Sequence, residues 1–348
     1  MTARPSPHVA SLTGIAPVFK SELGSISQLT TDSFPILRRL SVTRIVLAAG
    51  ALREPQWNVN ANQIAYVTRG RVLVSMLGNA DEFASFVVEA GQMYHVASGA
   101  VHHVENVGEG EAEIIAALRS GHPRHFSLTS SVNAMTDAVL GNTYDHPASA
   151  FEVFGRPDAA QILRREGPAR IPATAGLPNA HLFDLEGQIA PLTYPYGYAK
   201  LARSQFWAAL DDLSMYHLNV GGTGMREPHW HPVTAELGYV WRGHGRMRVL
   251  DPDGTLDEYV LEPGQVYFIP RAYPHHIEAL TDDGIDFLIF FDRSMPGDIG
   301  YRATASAFSR EVLSAAFGVR ERDLPALPFT PVDPLIVPRR NPRDPVVE

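Results

Sequence analysis

One internal repeat constrains this chain more than any other feature. Arg53-Glu54-Pro55-Gln56-Trp57-Asn58 returns as Arg226-Glu227-Pro228-His229-Trp230-His231, an offset of 173 residues (226 − 53). At the same offset Gln63 falls on Glu236, Tyr66 on Tyr239, Gly70 on Gly243, Gly91-Gln92 on Gly264-Gln265 and His102 on His275. Such a chain is a duplication, and it folds as two copies of one unit. With 348 residues, each copy is long enough to bury its own core.

Within each copy, short β-rich runs alternate with turn signals such as Gly221-Gly222, Pro252-Asp253-Gly254 and Pro263-Gly264. That spacing predicts an all-β fold: two tandem antiparallel barrels or sandwiches, over residues 31–145 and 201–318. Each copy closes with a helical pattern. One runs from Val132 to Tyr144, with Met135, Val139 and Leu140 apolar; the other runs from Ala305 to Phe317, with Phe308, Val312, Leu313 and Phe317. Residues 1–30 read as an N-terminal arm. Residues 146–200 form a proline-rich linker, expected to wrap across a barrel and supply a strand or two. Residues 319–348 form a tail with seven prolines from Leu324 onward, which excludes regular helix and central strand and leaves an extended strap or a disordered end.

Composition narrows the function classes. Apolar residues make up 45% and charged residues 19%, the balance of a soluble globular protein. A net charge of −9 argues against nucleic acid or an anionic membrane as partner. With no cysteine there are no disulfides, thiolate metal sites or cysteine nucleophiles. Met1 to Lys20 lacks the pattern of a signal peptide, and the apolar run Phe287 to Phe291 is far too short to span a membrane. The expected location is the cytoplasm.

The second copy carries a metal-ligand pattern: His229, His231 and Glu236 in H-x-H-x4-E, then His275 thirty-nine residues later. Residues i and i+2 of a strand face the same way, so His229 and His231 point inward together. Glu236 opens the next strand after the turn Pro232-Val233-Thr234-Ala235, and His275 follows the strand Gln265 to Ile269. Three nitrogens and one carboxylate leave one or two positions for water, substrate or dioxygen, which is the character of a catalytic site. A set without sulfur suits Mn(II) or Fe(II), with Zn, Ni, Co and Cu able to occupy it. His276 faces away and reads as structural. In the first copy the matching residues are Gln56, Asn58, Gln63 and His102. Amides are poor ligands, so one ion per chain is expected. The first-copy cluster reads as a structural relic, or as a pocket in which Arg53 and the amides bind a polar molecule. Arg226 admits two readings: a fork that holds a carboxylate beside the metal, or a structural ion pair with Glu227 or another acid.

These residues resemble a known family. G-x-M-R-E-P-H-W-H-x4-E followed by G-Q-V-Y-F-I-P-x4-H is similar to the two cupin motifs, and two such domains in one chain resemble the oxalate decarboxylase branch of the bicupins. The stretches Ala138-Val139-Leu140-Gly141-Asn142-Thr143 and Phe291 to Tyr301 share that likeness. The resemblance implies a jelly-roll barrel in each half. It implies Mn held by His229, His231, Glu236 and His275, Arg226 steering a small carboxylate such as oxalate, and a homo-oligomer, trimer or hexamer, with terminal helices between subunits.

The chain also departs from that branch. The metal site of the first domain, the main catalytic one in such decarboxylases, is dismantled. Their proton donor is a glutamate on a lid after the last strand; here the matching first-copy stretch, Arg119-Ser120-Gly121-His122-Pro123-Arg124-His125, has no acid, and the second copy offers Asp298 (125 + 173). The last strand, Phe287-Leu288-Ile289-Phe290-Phe291, carries no second acid. Arg226 and Asp298 are therefore the candidate catalytic residues, and oxalate chemistry is expected to be weak and to lean toward oxidation. The competing reading is a non-catalytic bicupin, sensor or storage-like, that holds metal or ligand without turnover.

Overall fold

Alternating patterns punctuated by glycine and proline turns give strands, and the computed structural model of the chain describes residues 7–79, 82–154 and 161–345. Each half is a pair of antiparallel sheets. In the first half, one sheet runs in the order 125–127, 51–58, 101–106, 71–77, 83–89, with 162–164 also on 51–58. The other runs 182–184, 92–96, 63–69, 112–118, 41–47, 24–29, 19–21. In the second half the order repeats: 299–300, 224–230, 275–279, 245–250, 256–261 with 336–338 on 224–230, facing 9–11, 265–269, 236–243, 285–291, 214–220, 197–202, 192–194. The inner faces meet in one apolar cluster per half. Val67, Val74, Phe86, Ile114 and Ala116 belong to the first, and Met247, Tyr267, Ile277, Phe287 and Phe291 to the second.

The compact units differ from the ranges expected from sequence. One is Gly14–Gly187 with Trp207–Leu213; the other is Gln188–Phe206 and Ser214–Glu348 with Met1–Thr13. Short exchanged strands cause the difference. Val9–Ser11 precedes the first barrel but pairs with the second, Val9 opposite Tyr267 and Ser11 opposite Gln265. Its copy, Leu182–Asp184 (9 + 173), precedes the second barrel but pairs with the first, Leu182 opposite Tyr94 and Asp184 opposite Gln92. The expected arm also supplies Phe19–Ser21 and Gly24–Leu29 to a sheet of the first barrel. His8 pins the N-terminal strand: Nδ1 faces the Phe268 carbonyl at 2.8 Å and Nε2 the Asp251 carboxylate at 2.9 Å.

Each trailing helix is two helices rather than one. Leu128–Asn133 is followed by Asp137–Tyr144, and Tyr301–Ala307 by Arg310–Phe317. The breaks fall where a hydroxyl starts a new helix, since Thr136 accepts from the Val139 amide and Ser309 from the Val312 amide.

Near its end the proline-rich tail is part of the second barrel. Ile336 sits opposite Arg226, Pro338 opposite Gly224, and the Ile336 side chain is fully buried. Ile336→Ala should therefore destabilise the protein by about 2–5 kcal/mol, the range for a truncated core aliphatic. Denaturant unfolding checks this; a change within about 0.5 kcal/mol, the range of a surface substitution, would show the strap to be dispensable.

Candidate metal centre

The site grows from an irregularity in the strand Gly224–Trp230. Pro228 has no N–H to give a ladder, and between Arg226 and His229 the pairing with His275–Ala279 shifts register. Arg226 pairs with Ile277 and His229 with His275, so three residues on this strand span two on its neighbour. The bulge turns Arg226 and His229 to the same inner face, and alternation then carries His231 there, while Trp230 lies against Tyr301 on the other face. Glu236 arrives at the start of the strand Glu236–Gly243. The turn before it is held by the buried Asp292 carboxylate, which accepts from Thr234 Oγ1 at 2.7 Å and from the Ala235 amide at 2.9 Å.

His229, His231, Glu236 and His275 are all buried, and one ligand atom from each lies within 4.8 Å of the others. Backbone carbonyls orient the three imidazoles. Nδ1 of His229 faces Glu227 O at 2.8 Å, Nδ1 of His231 faces Gly297 O at 3.0 Å and Nδ1 of His275 faces Tyr273 O at 3.0 Å. Each Nδ1 must therefore carry a proton, which leaves Nε2 as the inward atom with a lone pair to give. Nε2 of His231 lies 2.7 Å from Glu236 Oε2 and Nε2 of His275 lies 3.5 Å from it; the buried Nε2 of His275 has no hydrogen-bond partner. A divalent cation fits this quartet. It would satisfy the orphaned nitrogen and take the place of the proton that His231 otherwise shares with Glu236.

Electrostatics favour the ligand forms. Burial, reinforced by the Arg226 guanidinium, pushes the His229 imidazole well below its ordinary range, so it stays neutral. Burial acts to raise the Glu236 carboxyl, but the His231 hydrogen bond and the nearby His275 imidazole outweigh it and hold the group well below the usual carboxylate range. Tyr267 donates its hydroxyl to Glu236 Oε1 at 2.6 Å, and burial followed by the Glu236 charge keeps that phenol protonated. This contact requires Gly238, because a Cβ there would lie 2.1 Å from the Tyr267 ring. Tyr267 lies within the motif run Gly264 to Pro270, where the sequence pattern assigns it no role; a glycine opposite a tyrosine on the paired strand was the available signal.

A cavity of about 110 Å³ opens beside the quartet, lined by Arg226, Asp298, Tyr216, Ile289 and Phe291 among others. Arg226 donates from Nη1 to Leu335 O at 2.9 Å and from Nη2 to Asp298, with which it forms an ion pair. Leu335, at φ +45°, lies in the strap just before Ile336. The two candidate catalytic residues are thus each other's partners. Of the two readings of Arg226, the ion pair is present, with Asp298 rather than Glu227 as the acid.

In the first barrel the quartet becomes Gln56, Asn58, Gln63 and His102. His102 keeps its carbonyl contact, Nδ1 to Ala100 O at 3.2 Å, and burial pulls its imidazole down to about 4. Asn58 donates to Gln63 at 3.4 Å where His231 meets Glu236. Among the described residues one other group, His8 with Asp251 and Asp257, has metal-ligand proximity. His8 there bridges the Phe268 carbonyl and the Asp251 carboxylate, and the group holds one imidazole where the quartet holds three.

The cupin family model matches residues 11–149 and again residues 206–323. The chain belongs to the cupin family and is a bicupin. An oxalate decarboxylase of Bacillus subtilis is 26% identical to this bicupin over 293 residues, 79% of this chain and 73% of that one. A probable oxalate decarboxylase of Arthroderma benhamiae is 22% identical over 305 residues, 85% and 75% of the two chains. A cruciferin of Brassica napus is 40% identical over 131 residues, 37% of the bicupin and 24% of that chain. The solved structure of Bacillus subtilis oxalate decarboxylase at pH 4.6 shares the fold, with a TM-score of 0.85 at 20% identity over 96% of this chain and 88% of that one. Another structure of that enzyme, with the same TM-score and identity, is described by its Mn(II) centres.

His231→Ala should abolish metal binding, because it removes one of four ligands and leaves Glu236 without its neighbour. His102→Ala should leave the stoichiometry at one ion per chain. Elemental analysis of the purified variants checks both, and two ions per wild-type chain would overturn the assignment.

Proposed function

We propose that this bicupin is a metal-dependent enzyme acting at its second barrel on oxalate or a related small carboxylate, by decarboxylation or oxidation, with Mn(II) as its ion. One observation carries the reading. Three imidazoles with fixed tautomers and one carboxylate converge at the wall of a cavity that also holds a buried guanidinium. Kinship with an oxalate decarboxylase and a probable oxalate decarboxylase supports the substrate class. A nitrogen and carboxylate set without sulfur suits Mn(II), with Fe(II) the nearest alternative. When bound, the ion supplies Lewis-acid polarisation of a substrate carboxylate.

The chain's own residues do the rest. The planar fork of Arg226 matches a carboxylate, and in the structure it already binds one, that of Asp298. A substrate carboxylate competes for the same N–H groups, and exchange leaves Asp298 beside the substrate with an oxygen free to carry a proton. Ile289 and Phe291 line the cavity and exclude water from it. If Asp298 delivers a proton to the carbon that loses carbon dioxide, oxalate yields formate. If the proton is not delivered, dioxygen takes up the electron pair and two protons, giving two molecules of carbon dioxide and peroxide. Asp298 has a short reach and the last strand offers no second acid, so peroxide is expected to dominate.

Apolar side chains left exposed on the trailing helices, among them Val139, Phe308, Val312 and Phe317, support a homo-oligomer, read here as a trimer or hexamer. A second reading, a storage-like or sensing bicupin without turnover, draws on the cruciferin match and on the closed Arg226–Asp298 pair. Turnover separates the two. Protein purified under manganese supplementation should consume oxalate slowly, and absence of any oxalate-dependent formate or peroxide would favour the second reading.

Arg226→Lys should weaken carboxylate binding about tenfold or more, the worth of a charge-assisted bidentate contact, while metal content stays unchanged. Loss of metal in that variant would make the arginine structural. Asp298→Glu should raise the ratio of formate to peroxide, and Asp298→Asn should lower it while tightening carboxylate binding, because the internal competitor for Arg226 is gone. Formate as the sole product of the wild-type protein at high turnover would show that the proton comes from another residue.

A further inference from the structure

The first barrel repeats the scaffold of the second but not its charge balance. Arg53 sits on the same kind of bulge: His102 pairs with Gln56 and Val104 with Arg53, so that Arg53 and Gln56 share the inner face. Arg53 is 6% exposed and Arg226 is 3% exposed. Nη1 of Arg53 donates to Gln161 O at 3.4 Å, as Nη1 of Arg226 does to Leu335 O, and to Gln161 Oε1 at 2.8 Å; Nη2 donates to Gln56 Oε1 at 2.8 Å. The buried Nε has no partner. All the acceptors are neutral amides.

The missing acid can be located. Asp298 neutralises Arg226, and position 298 corresponds to His125. Sheet register establishes the correspondence, since Ser127 pairs with Gln56 as Gly300 pairs with His229. Among the described residues no carboxylate forms a salt bridge with Arg53. Glu54, adjacent in sequence, makes no hydrogen bond to it. Burial lowers the Arg53 guanidinium to about 10, partly offset by the Glu54 charge, a sign of a cation held without full compensation.

That cation lines a cavity of about 190 Å³, together with Gln56, Asn58, Gln63, Thr43 and His125, and no acid lines it. The volume is well above the roughly 10–15 Å³ a single water needs on this measure, so a small organic ligand fits. A buried cation without an ion partner is unfavourable, and a bound anion relieves it. The guanidinium keeps Nε–H and one Nη2–H unused, the donors that suit a carboxylate. The amides and the threonine hydroxyl both donate and accept, so they suit a neutral polar group on the same ligand.

We propose that the first barrel is a metal-independent binding site for a small monocarboxylate bearing a further hydroxyl or carbonyl group, anchored by Arg53 and admitted because His125 stands where the second barrel has Asp298. One positive charge matches one carboxylate, which separates this site from the metal-bearing barrel. The site does not depend on turnover at the second barrel.

Isothermal titration of glycolate and of lactate into the His231→Ala protein tests this with the second barrel stripped of metal. One carboxylate per chain should bind, and Arg53→Gln should weaken binding at least tenfold. His125→Asp supplies the acid at the equivalent of position 298, so it should pair with Arg53 and weaken binding to a similar degree with the fold intact. This second variant decides the matter if Arg53→Gln does not fold. No binding of either probe at millimolar concentration, or binding unaltered by His125→Asp, would overturn the proposal. Oxalate turnover measured in parallel on the metal-loaded wild-type protein reports on the second barrel alone.

Discussion

A strand turns its side chains from face to face, so residues three apart look in opposite directions. Arg226 and His229 escape that rule because the register shift around Pro228 inserts one residue between them. Without the shift, the guanidinium would face away from the histidines and no cation could share their cavity. Arg53 and Gln56 repeat the shift around Pro55. The bulge is therefore present in the barrel that lacks the ligand quartet, and there too it aims a buried arginine inward. In both cavities the inward arginine depends on this local departure from ladder geometry.

Around it the second barrel is arranged to keep ligand atoms in place rather than to attract them. Three carbonyls hold the Nδ1 protons, Tyr267 holds one oxygen of Glu236, and Asp292 fixes the turn before it. Their effect is to settle tautomer and direction in advance, so that binding does not have to order the side chains.

The two barrels then diverge through a single charge. In the second, Asp298 closes the arginine into an ion pair. In the first, His125 leaves the arginine to neutral amides. The same cavity plan thus gives a candidate metal centre beside an ion-paired arginine in one half and an arginine without a salt bridge in the other. Short strands complete both halves: the exchanged Val9–Ser11 and the trailing Ile336–Pro338 in the second barrel, the exchanged Leu182–Asp184 and the trailing Ile162–Arg164 in the first.

The repeat at 173 residues and the turn spacing were enough to establish an all-β duplication. The order His229, His231, Glu236, His275 was enough to single out one half as the candidate metal centre, because i, i+2 alternation and strand pairing are local rules. What joins distant segments was not legible. Three-residue strands such as Val9–Ser11 carry no period, so their exchange between barrels is decided only when complementary edges meet. The linker and the proline-rich tail show only that they are extended, not which strand they close upon. The role of Tyr267 depends on Gly238 lying opposite it across a sheet, and the pairing of Arg226 with Asp298 joins residues 72 apart in the chain. Sequence determined which groups exist and which face each strand presents. Tertiary structure decided which charge neutralises which, because burial makes the nearest partner matter and nearness in a barrel is set by register rather than by position along the chain.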